Sequence, residues 1–380
     1  MDQLWVNRAA TTETAVTRRH LKRLWGLPGT QLGVVAWPPT RRDRLFGNWH
    51  YWWQAHLLDC LVDAQLRDPQ PERRTEINRQ VRTHRLRNHF SWTNNYYDDM
   101  AWLALALERA ARVAGVERRR ALPKLADQIV KAWVPEDGGG IPWRKQDQFF
   151  NVPANGPAGI FLARYPDSYG NRLKRAEQMA DWIDRTLIDP QTHLVFDGIK
   201  GGSLVRAQYT YCQGVVLGLE TELAARTDAE AGARHAARVH RLLAAVAEHM
   251  APARVIKGAG GGDGGLFAGI TARYLALVAT ALPGASADDV ATRDTARTIV
   301  LASAKSAWDN RQTVDGLPLF GPFWDRDAEL PARRPDAGAV AQSVDGAASG
   351  SEVPERDLSV QLSGWMLMEA ACNVTAVAAT

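Results

Sequence analysis

The sequence predicts an all-α fold in which twelve helices pair as six hairpins around a ring. Apolar residues recur at helical spacing along nearly the whole chain of 380 residues, whereas the alternation typical of strands is almost absent. Most of the long, glycine-rich connections precede even-numbered predicted helices, so we expect them to lie together on one face of the fold. Because a helix pair cannot bury its apolar faces alone, stacking the pairs in a ring gives them one continuous core.

In chain order, the predicted helices cover 9–25, 48–66, 72–87, 96–114, 118–133, 151–164, 169–188, 207–225, 228–250, 267–282, 286–308 and 357–378. The helices that begin at 48, 96, 151, 207, 267 and 357 carry aromatic, amide and acidic residues around their starts, and we predict that they form the inner ring. The other helices carry mostly Ala, Arg and Glu, as solvent-facing helices do. The chain is predicted to be a single domain, 1–380, with a flexible loop at about 332–351.

The composition excludes several classes of protein. With 46% apolar residues, the chain has enough apolar material for a substantial core. The net charge of +4 comes from scattered basic residues and short runs, which indicates a solvated surface and no nucleic-acid partner. No run approaches the ~18 consecutive apolar residues of a membrane-spanning helix. A monomer is the default expectation.

The spacing of cysteine and histidine indicates no cofactor site. Cys60, Cys212 and Cys372 stand far apart within apolar helical patterns, which predicts buried, reduced thiols and no disulfide bonds. The nine His residues show no spacing typical of a metal site. Neither a metal nor another cofactor is therefore expected.

The N-terminal region bears on cellular location. Twin arginines at 18 and 19 precede an apolar stretch, as in a twin-arginine export signal. Trp25, Pro28 and Gln31 interrupt that stretch, and no small-residue cleavage site follows. We therefore expect a cytoplasmic location, with export as the alternative.

Two consecutive acids, Asp98 and Asp99, precede the strong helix-forming run 103–110, which places them in the first turn of a helix. Neighbouring helix positions diverge by about 100°, so both carboxyl groups can reach one pocket, whereas on a strand they would face opposite sides. Acids at this position also cap helices and meet the positive end of the helix dipole. Three surrounding aromatic residues, Tyr96, Tyr97 and Trp102, favour a binding site, because a cap requires none of them.

The starts of the inner helices supply the residue types of a carbohydrate cleft. Helix N-termini that point into one basin combine polar side chains with positive dipole ends. Sugar rings present flat apolar faces that stack on Trp and Tyr, and hydroxyl groups that bond with amide and carboxyl side chains. The chain has 14 Trp, several of them near these starts, and Trp143 on a Gly-Pro loop is predicted to contact a sugar.

The run Tyr96-Tyr97-Asp98-Asp99-Met100-Ala101-Trp102, with Asn95 before it, resembles the signature of glycoside hydrolase family 76, the endo-α-1,6-mannanases. The resemblance extends from about 49 to 365, through weaker segments at 151–156, 196–199, 211–214 and 263–267. It implies an (α/α)6 barrel and retaining hydrolysis of an α-1,6-linked mannan or mannooligosaccharide. It also implies that Asp98 is the nucleophile and Asp99 the acid/base.

The position of their segments predicts further substrate-binding residues, which are Asn95, Tyr97, Trp143, Asn155, Asp197, Tyr211, Gln213 and Asp263. Cys212 stands where the family pattern leads us to expect Asn or a similar polar residue. A retaining glycosidase needs two carboxyl groups about 5 to 5.5 Å apart, one ionised and one protonated. Adjacent acids on a helix can supply that distance, and the charge of one hinders ionisation of the other.

Three alternative functions remain open at the level of sequence. A transglycosylase would use the same covalent glycosyl-enzyme and differ only in its acceptor. A helical toroid that binds glycans without turnover would keep the aromatic cleft. A terpenoid synthase would bind diphosphate through Mg²⁺ on clustered carboxylates, but Trp102 replaces the third acid of its DDxxD pattern.

Overall fold

The computed structural model describes residues 2–135, 139–165, 167, 170–331, 343–344, 347–348 and 351–376, so the loop predicted at 332–351 lies largely outside the described residues. The helices are α1 (Gln3–His20), α2 (Arg41–Arg44), α3 (Tyr51–Arg67), α4 (Pro71–Arg87), α5 (Tyr97–Ala114), α6 (Ala121–Lys131), α7 (Val152–Arg164), α8 (Asn171–Thr186), α9 (Thr210–Arg226), α10 (Ala229–Ala245), α11 (Phe267–Ala281), α12 (Ala287–Asp309) and α13 (Leu358–Ala376). The short strands are β1 (Leu21–Lys22), β2 (Leu32–Gly33), β3 (Phe149–Asn151), β4 (Gly198–Lys200), β5 (Ser203–Val205), β6 (Gln312–Val314), β7 (Leu317–Leu319), β8 (Ser343–Val344) and β9 (Ala347–Ala348).

Six of these helices form a closed inner ring. In ring order they are α3, α5, α7, α9, α11 and α13; each contacts the next, and α13 contacts α3. The remaining long helices lie outside, with α1 on α13, α4 on α3, α6 on α5, α8 on α7, α10 on α9 and α12 on α11. The fold is an (α/α)6 barrel, and the predicted division into inner and outer helices is confirmed.

The first helix is displaced from its predicted range of 9–25. α1 begins at Gln3, because the side chain of Asp2 accepts a hydrogen bond from the backbone N–H of Leu4 at 2.9 Å and caps the helix. It ends at His20, where the chain becomes extended as β1 and pairs antiparallel with β2. Trp25, predicted to be helical, instead has a φ of 50° in the connection that follows.

The inner helices are buried on nearly every face, because other helices surround them. In α9, every residue from Thr210 to Ala224 is buried. A Cβ added to Gly214 of this helix would lie 2.8 Å from the Cα of Thr271 in α11, closer than two such atoms can pack. Gly214 therefore allows the close approach of α9 and α11.

Among the described residues, one helical stretch, Gly262–Ala281, is long and apolar enough to cross a membrane by length and composition alone. It comprises a 3-10 turn followed by α11, and 67% of its most apolar window is buried. Because α11 belongs to the inner ring, burial among other helices accounts for its apolar composition.

Four inner helices carry a buried amide side chain at their fourth position, an arrangement we call the amide clamp. Each side chain accepts a hydrogen bond from a backbone N–H and donates one to the C=O of the same residue, which lies in an earlier connection. The pairs are Gln54 with Gly33, Asn155 with Ile141, Gln213 with Val195 and Gln361 with Phe320, at 2.7 to 3.2 Å. The clamps fix these connections against the starts of the inner helices.

Candidate active site

A cleft opens at the end of the ring where the inner helices begin, and its cavity volume is about 340 Å³. Five of the six inner helices contribute to it, from their first turns or from the residues just before them. The lining residues are His50, Tyr51, Trp52, Tyr96, Asp98, Asp99, Trp102, Trp143, Phe149, Asn151, Pro153, Asp197, Tyr209, Tyr211, Asp263 and Phe267. The cleft thus combines aromatic faces with four carboxyl groups.

Asp98 and Asp99 occupy the first turn of α5, and both line this cleft. The Asp98 carboxylate accepts hydrogen bonds from the indole Nε1 of Trp143 and from the backbone N–H of Asp99, each at 2.9 Å. Asp99 accepts a hydrogen bond from the side-chain amide of Asn94. The predicted sharing of one pocket by the two acids is confirmed, and each acid has its own hydrogen-bond donors.

Burial raises the pKa of both acids, but not equally. The pKa of Asp98 rises to about 7, although hydrogen bonds from Trp143 and from the Asp99 backbone partly oppose the rise. The pKa of Asp99 rises well above its ordinary value, because burial and the nearby charge of Asp98 both oppose its ionisation. The negative charge of Asp263 raises both pKa values further. The two hydrogen bonds to Asp98 and the neighbouring charge that acts on Asp99 both favour Asp98 as the group that ionises first.

Asp263 approaches the pair from the connection before α11. Its Oδ1 accepts hydrogen bonds from the indole N–H groups of Trp52, at 3.0 Å, and of Trp53, at 2.8 Å. Trp52 in turn stacks against Trp102 of α5, with ring centroids 6.4 Å apart. These contacts tie the starts of α3, α5 and α11 together around the cleft.

Asp197 enters the cleft from the residue before β4. It is 8% exposed, and burial raises its pKa to about 6. Its Oδ1 accepts a hydrogen bond from the thiol of Cys212, with the sulfur 3.9 Å away. Cys212, which stands where the family pattern leads us to expect a polar residue, is fully buried and does not line the cleft. Its thiol is a weak hydrogen-bond donor to Asp197.

The sequence model described as glycosyl hydrolase family 76 matches residues 8–343, most of the chain. The chain belongs to glycosyl hydrolase family 76. It is therefore a glycosidase, and its carboxyl pair lies in the cleft of a family 76 fold. No curated protein matches the sequence.

Solved structures of family 76 enzymes share this fold. The family 76 α-1,6-mannanase from Salegentibacter sp. HEL1_6 superposes with a TM-score of 0.78 at 26% identity, over 97% of this chain and 99% of that chain. An inactive variant of that enzyme, with two consecutive aspartates replaced by asparagine, is in complex with α-1,6-mannotriose; it gives a TM-score of 0.79 at 26% identity, over 97% and 99%. A family 76 glycoside hydrolase from a bovine Bacteroides thetaiotaomicron strain has a TM-score of 0.73 at 15% identity, over 98% of this chain and 78% of that chain, which shows the fold alone.

Six of the predicted site residues meet in the cleft of this family 76 protein. They are Asp98, Asp99, Trp143, Asp197, Tyr211 and Asp263. Tyr211 stacks on Phe267 with ring centroids 4.1 Å apart, so its ring is held against the cleft wall. The sequence pattern therefore located the acids and two of the aromatic residues of the cleft.

The predicted residues Asn95 and Tyr97 do not line the cleft. Tyr96 lines the cleft and has extended backbone angles, and neighbouring residues of an extended segment face opposite sides, so Asn95 faces away from the cleft. Asn95 is exposed, and the partly buried Tyr97 packs against the core. The motif alone does not reveal which way the segment before α5 faces.

The structure also corrects Asn155 and Gln213, which were predicted to bind substrate. Both are fully buried and act as amide clamps. The Asn155 amide also donates to the C=O of Asn151, and the Gln213 amide to the C=O of Tyr209. Their polar groups therefore bond with the backbone that shapes the cleft and do not point into it.

Four residues that directly precede inner helices line the cleft, although none of them was predicted from the sequence to bind substrate. These are His50 before α3, Tyr96 before α5, Asn151 before α7 and Tyr209 before α9. The Tyr96 ring lies 5.2 Å from that of Trp143, in an edge-to-face arrangement. Burial lowers the pKa of His50 to about 4, so its imidazole is neutral near pH 7. Their shared position before a helix was the signal that would have found them.

Proposed function

We propose that this family 76 glycosidase hydrolyses α-1,6-mannosidic linkages with retention of configuration, using Asp98 as nucleophile and Asp99 as acid/base. The observation that carries the proposal is the unequal pair of carboxyl groups in one aromatic cleft. A retaining glycosidase needs one ionised and one protonated carboxyl group at the scissile bond. The pKa order of Asp98 and Asp99 meets that requirement.

The relatives support the choice of linkage and of residues. The Salegentibacter enzyme is an α-1,6-mannanase, and its inactive variant lacks two consecutive aspartates. Consecutive aspartates occur twice in this chain, at 98–99 and at 288–289. Asp288 and Asp289 lie at the start of the outer helix α12, away from the cleft, so 98–99 is the pair that fits.

In the first step, the Asp98 carboxylate attacks the anomeric carbon while the bond to the leaving oxygen breaks. Asp99 gives its proton to that oxygen, and a covalent glycosyl-enzyme ester forms on Asp98. The Trp143 indole and the Asp99 backbone N–H, both 2.9 Å from Asp98, hold its carboxylate during the attack.

In the second step, the roles change because the charges change. Esterification removes the negative charge of Asp98, which had raised the pKa of Asp99. Asp99 therefore becomes easier to ionise once the glycosyl-enzyme exists, and its carboxylate takes a proton from the attacking water. The water oxygen bonds to the anomeric carbon, the ester bond breaks, and both acids return to their first state.

Asp98→Asn and Asp99→Asn test the assignment, with α-1,6-mannotetraose as substrate and product masses as the readout. We expect each variant to lose turnover by about 10²–10⁴-fold or more. Asp288→Asn, in the other aspartate pair, is the matched control and keeps activity. Near-normal turnover in Asp98→Asn or Asp99→Asn would refute the roles of nucleophile and acid/base.

A second substrate separates nucleophile from acid. An aryl α-mannoside with a good leaving group needs no proton donor, so Asp99→Ala should still release the aryl group in the first step. Asp98→Ala should not, because no nucleophile remains. Dominance of transfer products over free reducing sugar in dilute acceptor would instead assign a transglycosylase.

A further inference from the structure

An arginine-rich patch covers one side of the barrel outside the cleft; it comprises residues 23–30, 41–47 and 79–91. Its three segments are in contact. The indole N–H of Trp25 donates to the C=O of Leu45 at 2.9 Å, and Arg87 donates to the C=O of Phe46 at 2.9 Å. Gly29 and Phe90 line one shallow cavity together. The patch is therefore one continuous surface.

Large apolar side chains project from this patch. The described residues include ten large hydrophobic side chains with high exposure, and four of them lie here. They are Trp25, 53% exposed, Leu27, 43%, Leu45, 64%, and Phe90, 68%. Isolated exposed apolar residues are ordinary, but four on one surface indicate an interaction site.

Two of these apolar residues, Trp25 and Phe90, have uncommon backbone conformations. Trp25 has a φ of 50°, and the consecutive residues His89 and Phe90 have φ values of 52° and 59°. A bulky residue with positive φ is uncommon, because the conformation is strained. Strained backbone at residues whose apolar side chains are exposed indicates that this exposure has a function.

The charges of the patch are strongly one-sided. Residues 23–47 and 79–91 contain eight arginines and a single acid, Asp43, whereas the whole chain has 46 basic and 42 acidic residues. Asp43 is buried and bonds with Thr40, so its charge faces inward. The outer face is accordingly cationic, with Arg23, Arg41, Arg44, Arg82 and Arg85 all exposed.

We propose that the arginine-rich patch docks this protein on an anionic phospholipid bilayer. Arginines attract acidic headgroups, while apolar side chains enter the boundary between headgroups and acyl chains. Nucleic acid fits less well, because Leu27 and Leu45 are aliphatic and cannot stack on bases. A second copy of the patch is excluded by repulsion between like charges.

Docking would bring the cleft close to the bilayer. Arg87 connects the two regions, since its guanidinium lies 5.2 Å from the ring centre of Trp49, which is followed by the cleft residue His50. The patch and the cleft therefore share one end of the barrel. Glycans attached to a lipid would be presented beside the cleft. The docking itself does not depend on the proposed hydrolysis.

Co-sedimentation of the full chain with vesicles tests the proposal. We expect binding to vesicles of phosphatidylcholine mixed with phosphatidylglycerol, weak binding to phosphatidylcholine alone, and release by salt. Leu45→Ser with Phe90→Ser, and Arg41→Glu with Arg44→Glu, should each weaken binding about tenfold or more. Circular dichroism and turnover of soluble α-1,6-mannotetraose report whether each variant is folded.

The matched controls change exposed residues of the outer helices. Val290→Ser on α12 controls for the apolar changes, and Lys174→Glu on α8 with Arg234→Glu on α10 controls for charge. Both should bind vesicles like the unmodified protein. Equal binding to neutral vesicles, or equal loss in the controls, would overturn the proposal. So would tighter binding to DNA that Leu45→Ser leaves unchanged, which would assign nucleic acid.

Discussion

Asp98 and Asp99 are neighbours in the chain, yet their surroundings differ. Two N–H donors, from Trp143 and from the backbone, meet the Asp98 carboxylate. Asp99 has the amide of Asn94 and also faces the charge of Asp98. Donors favour the ionised form and a like charge disfavours it, so the two sets of contacts favour ionisation of Asp98 over that of Asp99.

Trp143→Phe removes the indole donor and keeps an aromatic ring in the cleft. The pKa of Asp98 should rise, because the hydrogen bond from Trp143 lowers it. Asp98 attacks only as an anion, which forms above its pKa, so the acid limb of the kcat/KM profile should move to higher pH by about 1 unit. Trp308→Phe, on the outer helix α12, is the control. An unmoved acid limb in Trp143→Phe would contradict the role of the indole.

Asp98→Asn should stabilise the fold at the expense of activity. An unfolded aspartate has a pKa of ~3.9, whereas that of folded Asp98 is about 7, so the folded state binds more protons between these values. The stability from Asp98 is thus fully present below about pH 4 and lost as pH rises through about 7. Asn does not ionise, so the variant should gain about 2 kcal/mol over the unmodified protein between pH 4 and pH 8. The full difference in pKa corresponds to ~4 kcal/mol, which partial exposure to solvent reduces.

Urea unfolding at both pH values measures this gain. Asp288→Asn, at an exposed position, should show no comparable change with pH. If Asp98→Asn gained no stability at pH 8 relative to pH 4, the raised pKa of Asp98 would be wrong.

At the scale of helices, sequence predicted more than it did for single residues. Helical periodicity is a local property, so all the predicted helices after the first begin within three residues of their predicted starts, and among the described α-helices only the four-residue α2 was not predicted. The amide clamps join residues 14 to 41 positions apart, and no local pattern reveals such a pairing. For this reason Asn155 and Gln213 were predicted to bind substrate, whereas in the structure their side chains bond with the backbone. The inner helices without a clamp are α5 and α11, which have Met100 and Ile270 at the fourth position.

Asn155→Ala should destabilise the protein by about 2–4 kcal/mol. The substitution leaves the N–H and C=O of Ile141 and the C=O of Asn151 buried without this partner. Because Ile141 lies two residues before Trp143, kcat should fall as well. Urea unfolding and mannotetraose kinetics measure both effects. Gln3→Ala removes an exposed amide that bonds with Asn7, and it should change stability by less than ~0.5 kcal/mol. Equal effects of the two substitutions would show that the clamp contributes nothing.

At the scale of the whole molecule, the pKa values of the buried acids Asp98 and Asp59 are shifted in opposite directions at the two ends of the barrel. The cleft end holds acids whose pKa values are raised. At the other end, Arg109 and Arg273 pair with Asp59 and Asp63 beside a cavity of about 580 Å³. Burial alone would raise the pKa of Asp59, but the two arginines lower it to about 2. Sequence patterns predicted the ring but not this ionic layer, because its members come from α3, α5 and α11.

Arg273→Met should destabilise the fold by about 3–5 kcal/mol, since it leaves buried Asp59 and Asp63 with Arg109 alone. Urea unfolding measures the loss. Lys305→Met breaks the exposed pair with Asp309 and should cost less than ~1 kcal/mol. A loss as small in Arg273→Met as in Lys305→Met would show that the buried layer is dispensable.

The contact of α13 with α3 makes the barrel a closed object. In an open row of helical hairpins, the first and last hairpins each expose an apolar helix face that has no neighbour. In this chain α13 packs against α3, which begins about 300 residues earlier, so one contact covers the apolar faces at both edges. A chain without this contact would leave one apolar face of α3 and one of α13 without a neighbour, and such exposed apolar surface favours association with another molecule.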